Sequence, residues 1–431
     1  MGRYIVNGGK KLSGEVSISG SKNAALPILS ATLINGGENV ITNCPNITDV
    51  NLTCDILEEL GCVIKRDDDV LIINSSNALN KHIKKDKVEK MRSSVLFMGV
   101  MLGRFGKAII NKPGGCAIGK RPVDYHLNSL KAMGADIIEH DTLIECRAKK
   151  LVGTKIFLPG PSVGATENIM LAGAFAEGET IIFNAAREPE IFALQEFLKT
   201  LEIKVQGAGS ATIRIEGRKK FGPGECKILP DRIEAGTFLI ATAMTKGDVL
   251  LKNVNWIDMM KTLEVLDACG CDLKTYKNSI YIKAPKKLKA PALIRTGGYP
   301  HFPTDMQPAI MSLLTMSQGT SIIIEQMFEN RFCQAKELNK MGAKISAGRT
   351  VALIDGIDRL KGCEVTATDL RAGAALILAG LAAKGITTIN NSKYVLRGYE
   401  NFDKKLKALG ANIKLNMAND EDGYERKYAK Q

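Results

Sequence analysis

The chain has 431 residues, 45% hydrophobic and 5% aromatic, and its 59 lysines and arginines against 46 acids leave a formal charge of +13. That length exceeds what one hydrophobic core supports, about 250 to 300 residues, so two domains of roughly 200 residues are expected. The basic surplus admits a nucleic acid or a small polyanion; dispersal of the charge at 81–90, 218–220, 283–289 and 404–407, with few aromatics for stacking, argues against nucleic acid.

In chain order, small-residue apolar helices are predicted at 24–32, 94–102, 166–176, 235–244, 308–316 and 372–383. Each ends near a glycine and leads into a β-branched strand, as at 179–183. A second, more amphipathic helix follows, as at 50–60 and 191–201, and then two strands around a polar turn, as at 63–65 and 70–73. The last apolar helix is too short to span a bilayer, which takes about 20 residues, so no transmembrane segment is expected. The N-terminus lacks an apolar leader, and Val6 stands where myristoylation needs Ser or Thr, so a cytoplasmic protein is expected.

A short phrase recurs at the end of each second helix, at 59–64, 132–137, 268–273, 340–345 and 408–413, with a degenerate copy at 200–205. Its third position is Gly61, Gly134, Gly270, Gly342 or Gly410, and Glu202 in the degenerate copy. The period is roughly 70 residues, and six βαβαββ units fill the chain. The marker glycine is expected to cap the helix in left-handed geometry.

Residues 113–124 read as a chemical loop: Cys116 is flanked by glycines and followed by Lys120 and Arg121, which favour a thiolate and attract an anion. The spacing of Gly114 to Gly119 and Lys120 nearly makes a nucleotide-binding P-loop, but Arg121 stands where magnesium needs Ser or Thr. Gly207 and Gly209 read as a turn between strands and not as a dinucleotide fingerprint. The ten cysteines lack a paired rhythm and read mostly as core residues of a reducing compartment, and the four histidines have no zinc spacing, so no metal is expected.

Chemistry gathers at the first turns of the apolar helices, at Lys22, Asn23, Arg92, Thr166, Asp231, Arg232, Glu234, Asp305, Asp369 and Arg371. Helix N-termini bind anions, and three per domain aimed into one cleft would make it strongly cationic. For Asp231 and Asp369, helix capping is as good a reading as catalysis.

These features together, with the segments 21–25, 162–166, 186–190, 229–234, 302–306, 328–331, 368–371 and 397–399, resemble the UDP-N-acetylglucosamine 1-carboxyvinyltransferase family over about residues 1 to 415. The resemblance implies an inside-out α/β barrel of two similar domains, each of three βαβαββ repeats. One spans 22–229 and the other 1–21 plus 230–431, with 416–431 a disordered tail.

It further implies transfer of the enolpyruvyl group of phosphoenolpyruvate to the 3′-hydroxyl of UDP-N-acetylglucosamine, the first committed step of peptidoglycan synthesis. No cofactor, metal or membrane partner is implied. By the same resemblance Asp305 is the base, Cys116 the acid and potential nucleophile, and Lys22, Arg121 and Arg397 surround the phosphate, with Arg331 and Arg371 on the carboxylate. The nucleotide sugar would meet Asn23, Arg92, Arg121, Pro122, Val123, Asp124, Tyr125, Gly160, Pro161, Ser162, Val163, Asp305 and Met327. Arg397 is expected to face the cleft without a buried partner. The alternatives are shikimate-pathway enolpyruvyl transfer, a non-catalytic nucleotide-sugar-binding relative, and an RNA-end-processing enzyme of related repeat type.

Overall fold

A computed structural model describes residues 2–83, 92–112, 118–119 and 123–417, with backbone alone for Arg92 and Ser93. Each unit contributes one small sheet, giving five four-stranded sheets and one three-stranded sheet among the described residues. Within a unit the strand before the apolar helix pairs parallel with the strand after it, as Lys155–Phe157 does with Glu179–Phe183, and the two remaining strands add antiparallel.

The apolar helices lie inside. Arg232–Met244 is buried at all 13 residues and Leu370–Ala382 at 12, so these are core helices with no solvent face. Arg232–Met244, Gln307–Leu314 and Leu370–Ala382 pack on one another, and Phe97–Phe105 packs on both Lys22–Ala31 and Val163–Gly173. Small residues permit this closeness: a Cβ on Gly99 would lie 2.4 Å from the carbonyl oxygen of Asn168. Sheets wrap each helix bundle with one face outward, which is the expected inside-out barrel. One apolar cluster runs from Ala24 to Ile228; a second joins Tyr4 to Ile18 with Ile233 to Ile413.

Two strands are exchanged between these clusters. Ser13–Ser17 precedes the first core helix yet pairs parallel with Asp248–Lys252, whereas Gly224–Lys227, which precedes Arg232–Met244, pairs parallel with Glu38–Thr42. The connecting segments pass each other at Gly20 and Pro230, where Ser21 N donates to Leu229 O at 2.7 Å and Asp231 N to Ser19 O at 2.9 Å. No side chain fits there, since a Cβ on Gly20 would meet Asn43 O at 1.8 Å. Arg3–Asn7 lies between Ile386–Asn390 and Asn412–Asn416, so Asn416, read from the sequence as the start of a tail, is instead a strand residue paired with Arg3.

All six marker positions adopt the left-handed conformation, including Glu202 at φ 62°. A second repeated device was not anticipated from the sequence. Asn43, Asn184, Asn253 and Asn391 end the strand after the core helix with positive φ. Each gives its side-chain amide to the carbonyl closing the parallel edge strand: Ile228, Leu158, Ile18 and Ala367, at 2.7, 3.0, 2.7 and 3.4 Å. Asparagine tolerates this backbone and supplies the donor that locks the strand end.

Left-handed geometry costs a side-chain-bearing residue about 1 kcal/mol, and the exposed pairing of Glu202 with Arg218 returns little. Glu202→Gly should therefore raise stability by roughly 0.5 kcal/mol after the entropy of the unfolded glycine is set against it. Urea denaturation checks this; an unchanged or lower midpoint would show that the site carries no strain.

Candidate active site between the two cores

The N-terminal ends of core helices from both halves meet around two aspartates. Asp305 lies in the short 3-10 turn Thr304–Met306, which Pro303 precedes as cap residue. Its carboxylate receives Arg331 Nη2 at 3.2 Å, Arg371 Nε at 3.3 Å and Arg371 Nη2 at 3.0 Å. From the other half, Asn23 Nδ2 reaches it at 3.5 Å. Arg371 is buried, and burial disfavours its charge, but Asp305, Tyr399 and Asp231 outweigh that and hold the guanidinium charged above its ordinary range. Its Nη1 is buried with no hydrogen-bond partner among the described residues.

The second aspartate, Asp49, was not singled out in the sequence. It sits in the first turn of Thr48–Glu59, with Lys22 Nζ at 2.7 Å and a bidentate Arg397, Nε at 2.8 Å and Nη2 at 3.1 Å. The expectation that Arg397 has no buried partner is therefore corrected. Asp49 is 2% exposed and bridges Lys22 of one half to Arg397 of the other. Burial would raise the Asp49 carboxyl; the two cations overcome this and hold it below its usual range.

Arg331 is buried and held by Asp305, by Asp369 at 3.7 Å and by Thr304 O at 3.3 Å, which makes it a support for Asp305 as much as a ligand donor. Asp231 and Asp369 are caps. Asp231 accepts from Ile233 N and Glu234 N, and Asp369 from Arg371 N and Ala372 N. Asp231 also takes Lys22 N at 3.3 Å, tying the first core helix to the crossover.

The remaining predicted residues flank this cluster. Ser162 caps Val163–Gly173 by accepting from Ala165 N, and Gly160 lies where a Cβ would be 3.9 Å from Tyr125 Oη. Pro161 approaches Gly298 of the other half. Val123 is the N-cap of Asp124–Ala132, which Asp124 and Tyr125 begin, and Met327 is exposed, its N bonded to Glu325 Oε1. Arg92 opens the 3-10 helix Arg92–Leu96. Cys116, Arg121 and Pro122 lie outside the described residues. The end of their loop is described: Ile118 O accepts from Asn330 N at 3.0 Å, and Gly119 lies so near Glu329 that a Cβ would be 2.3 Å from its Oε2. That segment of the first half thus seats on the second. The nine described cysteines are free thiols, six of them buried, and burial pushes Cys54 and Cys146 up to about 12, as suits core residues.

Within electrostatic reach of Asp305, Arg232 is held by Glu190, Nε to Oε1 at 3.0 Å and Nη2 to Oε2 at 3.3 Å, beneath the ring of Tyr299. Glu188 Oε1 accepts from Tyr299 N at 3.2 Å. These contacts also cross between the halves.

A family model for EPSP synthase (3-phosphoshikimate 1-carboxyvinyltransferase) matches residues 6–406. The chain is 45% identical over 413 residues to UDP-N-acetylglucosamine 1-carboxyvinyltransferase 2 of Caldanaerobacter subterraneus, covering 96% of this chain and 99% of that one. The chain belongs to the UDP-N-acetylglucosamine 1-carboxyvinyltransferase family. Another relative is the enzyme of that name from Geotalea uraniireducens, 44% identical, with 96% of this chain and 99% of that one covered. In fold this enolpyruvyl transferase family member resembles the enolpyruvyl transferase NikO of Streptomyces tendae at a TM-score of 0.88 and 24% identity, covering 97% and 99% of the two chains. It also resembles the EPSP synthase of Acinetobacter baumannii at 0.75 and 20%, covering 97% and 100%. No described helix is long and apolar enough to cross a membrane.

Buried Glu167 is pushed well above the usual carboxyl range by burial and by the charges of Glu190 and Glu188. The folded chain then keeps a proton that the unfolded chain releases near pH 4.3, so this group lowers stability as pH rises above that value. Glu167→Gln should be neutral near pH 4 and increasingly stabilising towards pH 7.5. Thermal melts across that range decide it, and a pH-independent difference would count against a buried, charge-repelled carboxyl.

Proposed function

We propose that this chain transfers the enolpyruvyl group of phosphoenolpyruvate to the 3′-hydroxyl of UDP-N-acetylglucosamine and releases phosphate, the first committed step of peptidoglycan synthesis. One observation supports the assignment to this site: cations from both halves converge on carboxylates at the helix N-termini, where a small polyanion would lie. Lys22 and Arg397, with Arg121 by family position, would take the phosphate. The unpartnered Nη1 of Arg371 fits the carboxylate.

In the addition step the 3′-oxygen bonds to C2 and loses its proton to Asp305, while C3 gains a proton from Cys116. The tetrahedral product carries phosphate and sugar on one carbon. In the elimination step a C3 proton leaves and the C2–O bond to phosphate breaks, restoring the double bond. Asp305 enters this cycle bound to two guanidiniums, so a substrate carboxylate that draws Arg371 away would free the base when it is needed. Asn23, beside Asp305, would orient the sugar, and the seated segment Ile118 to Gly119 supports a lid that excludes water from the intermediate.

The acceptor is tested by phosphate release from phosphoenolpyruvate. Release is expected with UDP-N-acetylglucosamine and not with shikimate 3-phosphate; release with the second alone would overturn the reading.

Cys116 separates two jobs. Cys116→Asp can still protonate C3, but a carboxyl with reference pKa about 3.9 in place of a thiol near 8.5 should shift activity towards acid and remove the sulfur that an epoxide such as fosfomycin would alkylate. Cys116→Ser should be nearly inactive. A folded Asp variant inert at every pH would mean that attack by sulfur is obligatory.

A further inference from the structure

Lys22 is in an unfavourable place for an ammonium. Its side chain is 11% exposed, its Cδ lies 3.3 Å from where a Cβ on Gly398 would stand, and Arg397 and Arg371 both act on it with like charge. It also begins a helix, where the macrodipole disfavours a cation. Among the described residues, the anions that meet Lys22 are Asp49, at its Nζ, and Asp231, at its backbone N. Asp231 is committed to its own helix cap and to the backbone N of Lys22, which leaves Asp49 as the carboxylate on Nζ.

We propose that Asp49 is a positioning residue that stands in for the donor's phosphate: it fills the gap between Lys22 and Arg397, holds these side chains of opposite halves in register, and keeps Lys22 an ammonium until phosphate replaces it. This rests on the reading that Lys22 and Arg397 receive the phosphate. The geometry favours a stand-in over a simple structural bridge. One carboxylate engages both cations at once, with three contacts of 2.7 to 3.1 Å, in the two-sided manner of a phosphate between a lysine and an arginine. Burial pulls Lys22 below the usual lysine range, Asp49 opposes that, and Arg397 and Arg371 add to it, so losing Asp49 removes the one group among the described residues shown to favour the charged amine.

The test uses Asp49→Asn, which keeps the shape and removes the charge, with Asp49→Ser as the alternative should the amide not fold. The alkaline limb of kcat/KM for phosphoenolpyruvate should move towards acid by about one pH unit or more, a roughly tenfold loss at mildly alkaline pH. Adding Lys22→Arg, whose charge is permanent, should abolish that shift whatever the peak rate. A profile parallel to the parent protein's overturns the proposal, as does a shift that Lys22→Arg leaves in place. An activity-independent readout separates this from the functional reading. Acetic anhydride modifies only the free amine, so acetylation of Lys22, measured by mass spectrometry at pH 7.5, should rise about tenfold in Asp49→Asn and fall again with millimolar inorganic phosphate. Equal labelling of parent and variant refutes the role of Asp49. A parent protein that releases no phosphate with either acceptor refutes the functional reading while leaving the labelling result to decide the role of Asp49.

Discussion

Cations crowd where the two cores meet, and the arrangement holds only because carboxylates are placed among them. Lys22 and Arg371 open core helices whose macrodipoles oppose positive charge, and Arg331, Arg371 and Lys22 are largely removed from water. Asp49 and Asp305 answer this, each bound by two basic residues. Because the partners of Asp49 come from different halves, the same pairs that satisfy buried charge also fasten the lobes. Elsewhere in the interface the balance is reversed: Glu190, Glu188 and Asp305 act on one guanidinium, that of Arg232. The interface between the halves is rich in paired charges.

Much of the architecture was legible because it repeats. A 70-residue rhythm, a left-handed marker and a small-residue helix, each seen six times, left little freedom in the unit, and Glu202 obeys its position against its own preference. Most helix starts were read one to three residues late, since capping residues such as Ser162 and Asp231 look like loop. The strand exchange could not be read from composition, because 13–17 and 224–227 have equally ordinary strand sequences and the choice of partner lies in the tertiary structure. The asparagine clamps went unnoticed for a simpler reason: an Asn after a strand resembles any turn residue until its amide is seen on a distant carbonyl.

Of the site, the cations were legible and their partners were not. Permanent charge at a helix start is conspicuous because it opposes the dipole, which is how Lys22 and Arg371 stood out. The first turns of the apolar helices drew attention, aspartates included, but Asp49 begins a second, amphipathic helix read from the sequence as 50–60, which left it outside. Its link to Arg397 spans 348 residues of sequence and leaves no spacing to find. The same holds for Arg232 and Glu190, each noted in its own segment and joined only by the fold.

The exchanged strands also bear on how the protein is made. During synthesis Arg3–Asn7 emerges long before its neighbours Ile386–Asn390 and Asn412–Asn416, so this strand must wait unpaired until they arrive. The sheet containing Glu38–Thr42 lacks its parallel edge until residues 224–227 arrive. Such distant pairings slow folding through the entropy of closing long loops. They also mean that a ribosome stalled short of residue 386 holds a chain whose strand Arg3–Asn7 still lacks both neighbours, a ready handle for quality control.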